Sequence, residues 1–168
     1  FYTDPYEKPR MAHFRVIKPE KWEELLDLLG SYLLYAKREY SVEPDLFSFN
    51  EPDAGVMVRF SPEEHRDLIR LLGSHFESLG LKTRLLLADV TNPARADYAL
   101  PCAEDAEAIR HVGAVAFHSW GGATAGQYAQ WRHLAARLGL PLLVTEVGVD
   151  ANWRTVGLDS FHYALREM

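Results

Sequence analysis

Two glutamates close two short apolar runs, and that placement is the first sign of chemistry in this chain. Leu46-Phe47-Ser48-Phe49 stops at Asn50-Glu51-Pro52, and Leu142-Leu143-Val144-Thr145 stops at Glu146, with Val147 and Gly148 following. Pro52 cannot donate to a sheet ladder and disfavours helix at Glu51, so the first run ends with an amide and a carboxylate at its tip. Two buried strands that each present a glutamate at the carboxyl end suit paired-carboxylate chemistry. Two further runs end in polar groups: Arg84–Ala88 at Asp89, and Gly113–Phe117 at His118-Ser119-Trp120. Each of these side chains also has a structural reading. Glu51 could be a loop acid satisfied by backbone amides, and Glu146 a solvated strand end. Asn50 suits a turn as well as a ligand contact, His118 suits a buried histidine held by backbone, and Asp89 is expected to be structural because turns favour Asp.

The elements that must position these groups are legible from periodicity and punctuation. Pro19 sits at a helix first-turn position with Glu20, Glu23 and Glu24 near the positive end. Trp22, Leu25, Leu26, Leu29, Leu33 and Leu34 continue at helical spacing to about Tyr40. Glu43-Pro44-Asp45 turns into the first strand, Leu46–Asn50, and residues 53–60 form a loop. Ser61-Pro62-Glu63-Glu64 combines a cap, a first-turn proline and two acids, a strong helix start. Leu68, Ile69, Leu72, Phe76 and Leu79 then supply an apolar face, and Gly80 stops the helix. Glu63, Glu64, His65 and Asp67 read as solvated first-turn residues. The second strand is Arg84–Ala88, Glu104–His111 is a short helix, and the third strand is Gly113–Phe117. A helix from about Thr124 carries Tyr128, Trp131, Leu134, Ala135 and Leu138 and stops at Gly139, before the fourth strand, Leu142–Glu146. Leu158–Glu167 reads as a final helix, and Met11–Ile17 as an irregular segment with one short strand. Trp22 and Trp131 fall on helix faces and are expected in the core or an interface.

Short apolar runs alternating with amphipathic helices imply parallel strands covered by helices, an α/β fold. Two architectures satisfy the pattern, an open doubly wound sheet and a (β/α)8 TIM barrel. In both, function collects at the carboxyl ends of the strands, where Glu51, Asp89, His118 and Glu146 fall.

Composition narrows the function classes. The 168 residues, 48% hydrophobic, fit one globular domain over 1–168. A net charge of -6 without a long basic run weighs against nucleic acid and anionic membranes as partners. No stretch is long and apolar enough to span a bilayer. Aromatic residues make up 12% of the chain, enough to leave some for stacking on sugar rings. The single cysteine, Cys102, excludes an internal disulfide framework and a cysteine zinc cluster. The first residue is Phe1 rather than methionine, which leaves export open and the compartment, secreted or cytoplasmic, unassigned. No Gly-rich dinucleotide fingerprint follows any strand. The seven histidines are scattered, and His118 alone sits at a strand tip, so a metal-dependent hydrolase is the weaker enzyme reading.

Asn50-Glu51-Pro52 closing one strand, with Glu146 closing the third strand after it, resembles the clan A retaining glycoside hydrolases. In that clan an Asn-Glu-Pro ends barrel strand four and carries the acid/base glutamate, while the nucleophile glutamate ends strand seven. The spacing agrees, three strand–helix units at roughly thirty residues each. The resemblance covers about residues 19–160. It implies Glu51 as general acid, then base, and Glu146 as nucleophile, with their carboxyl groups roughly 5–5.5 Å apart. It implies that Asn50 binds the sugar 2-hydroxyl, that His118 positions Glu146 or a hydroxyl, and that Trp120, with Trp153 as a second candidate, floors a sugar subsite. It further implies a carbohydrate substrate, β-linked, and no cofactor or catalytic metal. A full barrel needs eight strands and about 250 residues. Four strands, corresponding to strands four to seven, are expected here, with the remainder of the barrel as their partner. The non-enzyme alternative is a carbohydrate-binding remnant that keeps the cleft without turnover.

Overall fold

The computed structural model describes residues 16–53, 58–120 and 122–148. Pro19–Lys21 forms a 3-10 turn that runs into helix α1, Trp22–Tyr40, which ends where Ser41 takes a left-handed conformation. Strand β1 is Leu46–Phe47 and helix α2 is Pro62–Ser78. Strand β2 is Arg84–Val90, followed by a 3-10 turn, Ala96–Ala99. Two short helices, α3 (Leu100–Ala103) and α4 (Ala106–Ile109), precede strand β3, Val112–Trp120. Helix α5, Ala125–Leu138, and strand β4, Leu142–Gly148, complete the order.

Several boundaries differ from the sequence expectation. β1 is two residues long rather than five, because the chain leaves the ladder at Ser48. β2 and β3 run further than expected, through Asp89 and through His118-Ser119-Trp120. The expected helix Glu104–His111 begins later: Asp105 is extended, and its carboxylate accepts from the Glu107 and Ala108 amides at 2.9 and 3.1 Å, capping a new short helix. Trp153, the expected helix Leu158–Glu167, and residues 11–15 of the expected N-terminal strand lie outside the described residues. Ile17 forms a single-residue bridge.

The four strands are parallel and lie in sequence order, β1-β2-β3-β4. Each crossover therefore steps the same way. Right-handed crossovers all moving in one direction put every helix on the same face and curl the sheet around the other. The result is a curled α/β half-barrel, which agrees with a partial TIM barrel. On the helix face Leu85, Leu87, Val115 and Phe117 pack with Ile69, Leu72 and Phe76 of α2 and Trp131 and Leu134 of α5. Phe117 and Trp131 stack with ring centroids 5.0 Å apart, and the indole N–H donates to the Pro93 carbonyl at 2.8 Å. Trp131 is thus core, as expected. On the inner face Leu86, Ala114 and Ala116 form a separate buried cluster with Leu143 against it. Small side chains there give the sheet room to curl.

α2 starts where the sequence places it. Ser61 Oγ accepts from the Glu64 amide at 3.1 Å, and Glu64 Oε2 accepts from the Ser61 amide at 2.7 Å, a reciprocal capping box. Ser61→Ala removes one half of that box. It is expected to lower unfolding stability by about 1 kcal/mol, read as a drop in the urea midpoint at unchanged slope.

Candidate active site

The carboxyl ends of the four strands converge on one buried ring. His118 is 0% exposed. Its Nδ1 lies 3.3 Å from Glu51 Oε1 and 3.5 Å from Glu146 Oε2, and its Nε2 lies 3.4 Å from Asp89 Oδ1. These separations are long for strong hydrogen bonds, and neither ring nitrogen has a partner of hydrogen-bond geometry among the described residues. The attraction is therefore chiefly between charges. Nδ1 and one carboxylate oxygen from each glutamate all lie within 4.8 Å of one another.

Backbone irregularities aim these groups. Along β2 and β3, Ala88 pairs with Ala116 and Val90 with Phe117, so Asp89 is an inserted residue. Along β3 and β4, Phe117 pairs with Val144 and His118 with Glu146, so Thr145 is inserted too. A bulge re-aims side chains in this way, and bulges gather beside functional sites. The two inserted residues meet: Thr145 Oγ1 donates to Asp89 Oδ1, while Ser48 Oγ donates to Asp89 Oδ2. Ala88 and Asp89 both take left-handed φ, 73° and 57°, without being glycine. Conformations of that kind cost roughly 1–3 kcal/mol each and persist only where surrounding contacts fix them. Glu51 has left-handed φ as well, 54°, and its amide donates to the Asp89 carbonyl at 3.1 Å. Two residues on, the Asp53 carboxylate accepts from the Thr91 amide and hydroxyl at 2.9 and 3.0 Å. The loop after β1 is thus tied to the chain after β2, and Glu51 is held between them.

The structure brings together Glu51, His118, Glu146 and Trp120. Trp120 is 47% exposed, and its indole N–H donates to Glu146 Oε2 at 2.9 Å. Both glutamates are part-exposed, so a ligand can reach them. Asn50 is exposed, and its side chain makes no hydrogen bond among the described residues. Asp89, expected to be structural, is buried within β2 against His118. One expectation is corrected. His65 is not solvated. It is 1% exposed, and its Nε2 accepts from the Ala88 amide at 3.1 Å. The sequence carried a signal for it, because His65 precedes Leu68, Ile69, Leu72 and Phe76 at helical spacing and so shares their buried face. Ser48, Asp53 and Thr145 were not singled out from the sequence either. Ser48 carries the clearest trace, a polar residue between two phenylalanines in a strand-like run.

The cluster shifts its own titration. Burial alone would pull His118 down, but the contact with Asp89 and the charges of Glu146 and Glu51 outweigh it, and its pKa lies above the ordinary histidine value. Burial pushes Asp89 up, yet the contact with His118 and the hydrogen bonds from Ser48 and Thr145 bring it below its ordinary 3.8. The signs define a window. The His118 contribution to stability is fully present below about pH 6.5 and is lost as pH rises through the higher folded value. The Asp89 contribution is present above about 3.8 and is lost as pH falls through its lower folded value. A histidine ring-proton titration is expected to place the His118 midpoint above 6.5, and Asp89→Asn to lower it. A wild-type midpoint at or below 6.5 would contradict this account.

No family model and no curated protein matches the sequence. Solved structures do match. SrfJ from Salmonella typhimurium superposes with a TM-score of 0.79 at 20% identity, over 95% of this chain and 37% of its own. A glycoside hydrolase family 30 subfamily 8 xylanase from Clostridium acetobutylicum gives 0.63 at 19% identity, over 82% of this chain and 34% of its own. A family 39 β-xylosidase from Caulobacter crescentus gives 0.64 at 19% identity, over 88% of this chain and 34% of its own. The chain thus spans little more than a third of the length of each of these three structures. At these identities the likeness is one of fold, a curled α/β half-barrel shared with parts of a xylanase and a β-xylosidase.

Proposed function

We propose that residues 1–168 form one partial-barrel domain of a glycoside hydrolase that cleaves a β-linked glycan or glycoside with retention. The observation that carries this reading is the approach of Glu51 and Glu146 oxygens to within 4.8 Å of each other beside His118. That is close to the roughly 5–5.5 Å between carboxyl groups in retaining enzymes and short of the roughly 6.5–9.5 Å that leaves room for water in inverting ones. The xylanase and β-xylosidase among the structural neighbours favour a β-linked substrate.

In the first step Glu146 Oε attacks the anomeric carbon. The glycosidic C–O bond breaks, and its oxygen takes the proton carried by Glu51. In the second step water attacks the same carbon, Glu51 takes the water's proton, and the Glu146 ester bond breaks. The surroundings of the two groups suit this division. The Trp120 N–H donates to Glu146 Oε2 and so orients the nucleophile, whereas no hydrogen bond reaches the Glu51 carboxylate among the described residues. His118, backed by Asp89, holds positive charge between them and keeps the two acids in place. Trp120, half exposed beside Glu146, offers a face on which a sugar ring stacks.

A 2-deoxy-2-fluoro-β-glycoside with a dinitrophenyl leaving group is expected to add one glycosyl mass to a peptide containing Glu146. Glu146→Gln abolishes the adduct. Glu51→Gln still forms it, because dinitrophenolate leaves without a proton, but turnover of unactivated substrate falls about 10²–10⁴-fold. Sugar binding without any adduct would instead identify a carbohydrate-binding remnant.

A metal-dependent hydrolase is the second reading. One observation favours it: His118 Nδ1 and the two glutamate oxygens are close enough to hold a divalent ion, with Asp89 behind the imidazole in the manner of an outer-shell carboxylate. Turnover unchanged after EDTA treatment is expected, and loss of turnover restored by a divalent ion would favour the metal reading.

A further inference from the structure

We propose that His65 is a positioning residue for the carboxylate cluster: its Nε2 holds the Ala88 N–H and thereby fixes the β2 bulge that presents Asp89 to His118. The inference rests on the geometry of the cluster and not on glycosidase activity, so each can fail alone.

Ala88 and Asp89 are consecutive non-glycine residues with left-handed φ, a combination that does not persist without outside contacts. The bulge between Ala88 and Val90 interrupts the ladder to β3, and the Ala88 amide is buried there. An orphaned amide at such a place would draw the strand back toward regular pairing. His65 prevents this by offering a lone pair from another layer of the fold, 3.1 Å from the amide nitrogen. A ring nitrogen accepts only when it carries no proton, so the imidazole must be neutral, with its proton on Nδ1. Burial favours the neutral ring: His65 is almost fully buried, which pulls its pKa down to about 4 against a smaller opposing pull from the charge of Asp89, while Nδ1 has no hydrogen-bond partner among the described residues.

The ring is also held in place. α2 is fixed at its first turn by the Ser61–Glu64 capping box, which sets the height of His65 against the sheet. The Tyr98 ring lies against the imidazole, centroids 5.4 Å apart, and the Tyr98 hydroxyl donates to the buried Phe60 carbonyl at 2.9 Å. From the bulge the path to the site is one residue long. Asp89 accepts from Ser48 and Thr145, faces His118 Nε2 at 3.4 Å, and through its carbonyl receives the Glu51 amide.

The test is NMR on the whole chain with ¹⁵N-labelled histidine and backbone, comparing wild type with His65→Gln, His65→Leu and Leu72→Ala. In the wild type at pH 7 the His65 Nε2 is expected to resonate as an unprotonated nitrogen, and the Ala88 amide to exchange slowly. His65→Leu keeps the bulk but removes the acceptor: the Ala88 amide is expected to exchange at least tenfold faster, and the His118 ring resonances to move. His65→Gln, whose Oε1 can accept, is expected to restore both toward wild type. Leu72→Ala, a core change on the same helix, leaves the His118 ring resonances where they were. A protonated His65 Nε2 in the wild type would overturn the proposal even if His65→Leu fails to fold. So would His118 resonances unchanged in a folded His65→Leu, or moved equally by Leu72→Ala.

Discussion

The arrangement at the carboxyl ends of the strands depends on a single buried imidazole among three carboxylates. Asp89 approaches one ring nitrogen of His118, and Glu51 and Glu146 approach the other. Three carboxylates this close would repel one another in a region of low effective dielectric. A positive ring between them turns part of that repulsion into attraction, and the raised pKa of His118 is the measure of it. The tryptophan N–H donated to Glu146 has no counterpart at Glu51 among the described residues, so the two glutamates have unlike surroundings.

Burying that many polar groups demands partners, and the fold supplies them from its irregularities and not from its regular ladders. Asp89 and Thr145 are the inserted residues of two separate bulges, and they bond to each other across β3. Regular parallel strands would have put successive side chains on alternate faces. A further register shift lies at Leu85/Leu86, near the start of β2, but the insertions at Asp89 and Thr145 fall near the strands' carboxyl ends, where they turn side chains into the cleft.

The sequence exposed the regular parts of this design and hid the irregular ones. Helical spacing and the Ser61 capping box marked α1, α2 and α5, because an apolar stripe and a cap leave local traces. Glu51, His118 and Glu146 stood out because each stands at the end of an apolar run of the sequence that has no other reason to end in a charge. The bulges left no such trace. An inserted residue is visible in sequence when it is a glycine adopting left-handed φ, but here Ala88 and Asp89 adopt it, and neither residue type marks the position. His65 was misread for a different reason. Its place in an acidic first turn suggested solvent, while the spacing to Leu68, Ile69 and Leu72 placed it in the core, and tertiary packing follows the spacing. Asn50 shows the reverse. It stands in the expected tripeptide, yet it lies exposed with no side-chain partner among the described residues.

The approach of Glu51 to Glu146 also constrains the sheet. Glu51 follows β1 and Glu146 lies near the end of β4, with β2 and β3 between, so in a flat sheet the two strand ends would stand three strand spacings apart, about 14 Å. Only two fully extended glutamates lying along the sheet could close that gap to 4.8 Å. The curl brings the two ends nearer, and the curl is what sequential right-handed crossovers and an inner face of Ala114, Ala116 and Leu86 allow. Larger side chains at the two alanines would push β2 and β4 away from the barrel axis and separate the pair without touching either acid. The chemistry of the site is therefore set at two places well apart. One is the cluster itself, where His118 balances the charge. The other is the small-residue lining beneath it, which decides whether the two glutamates can meet.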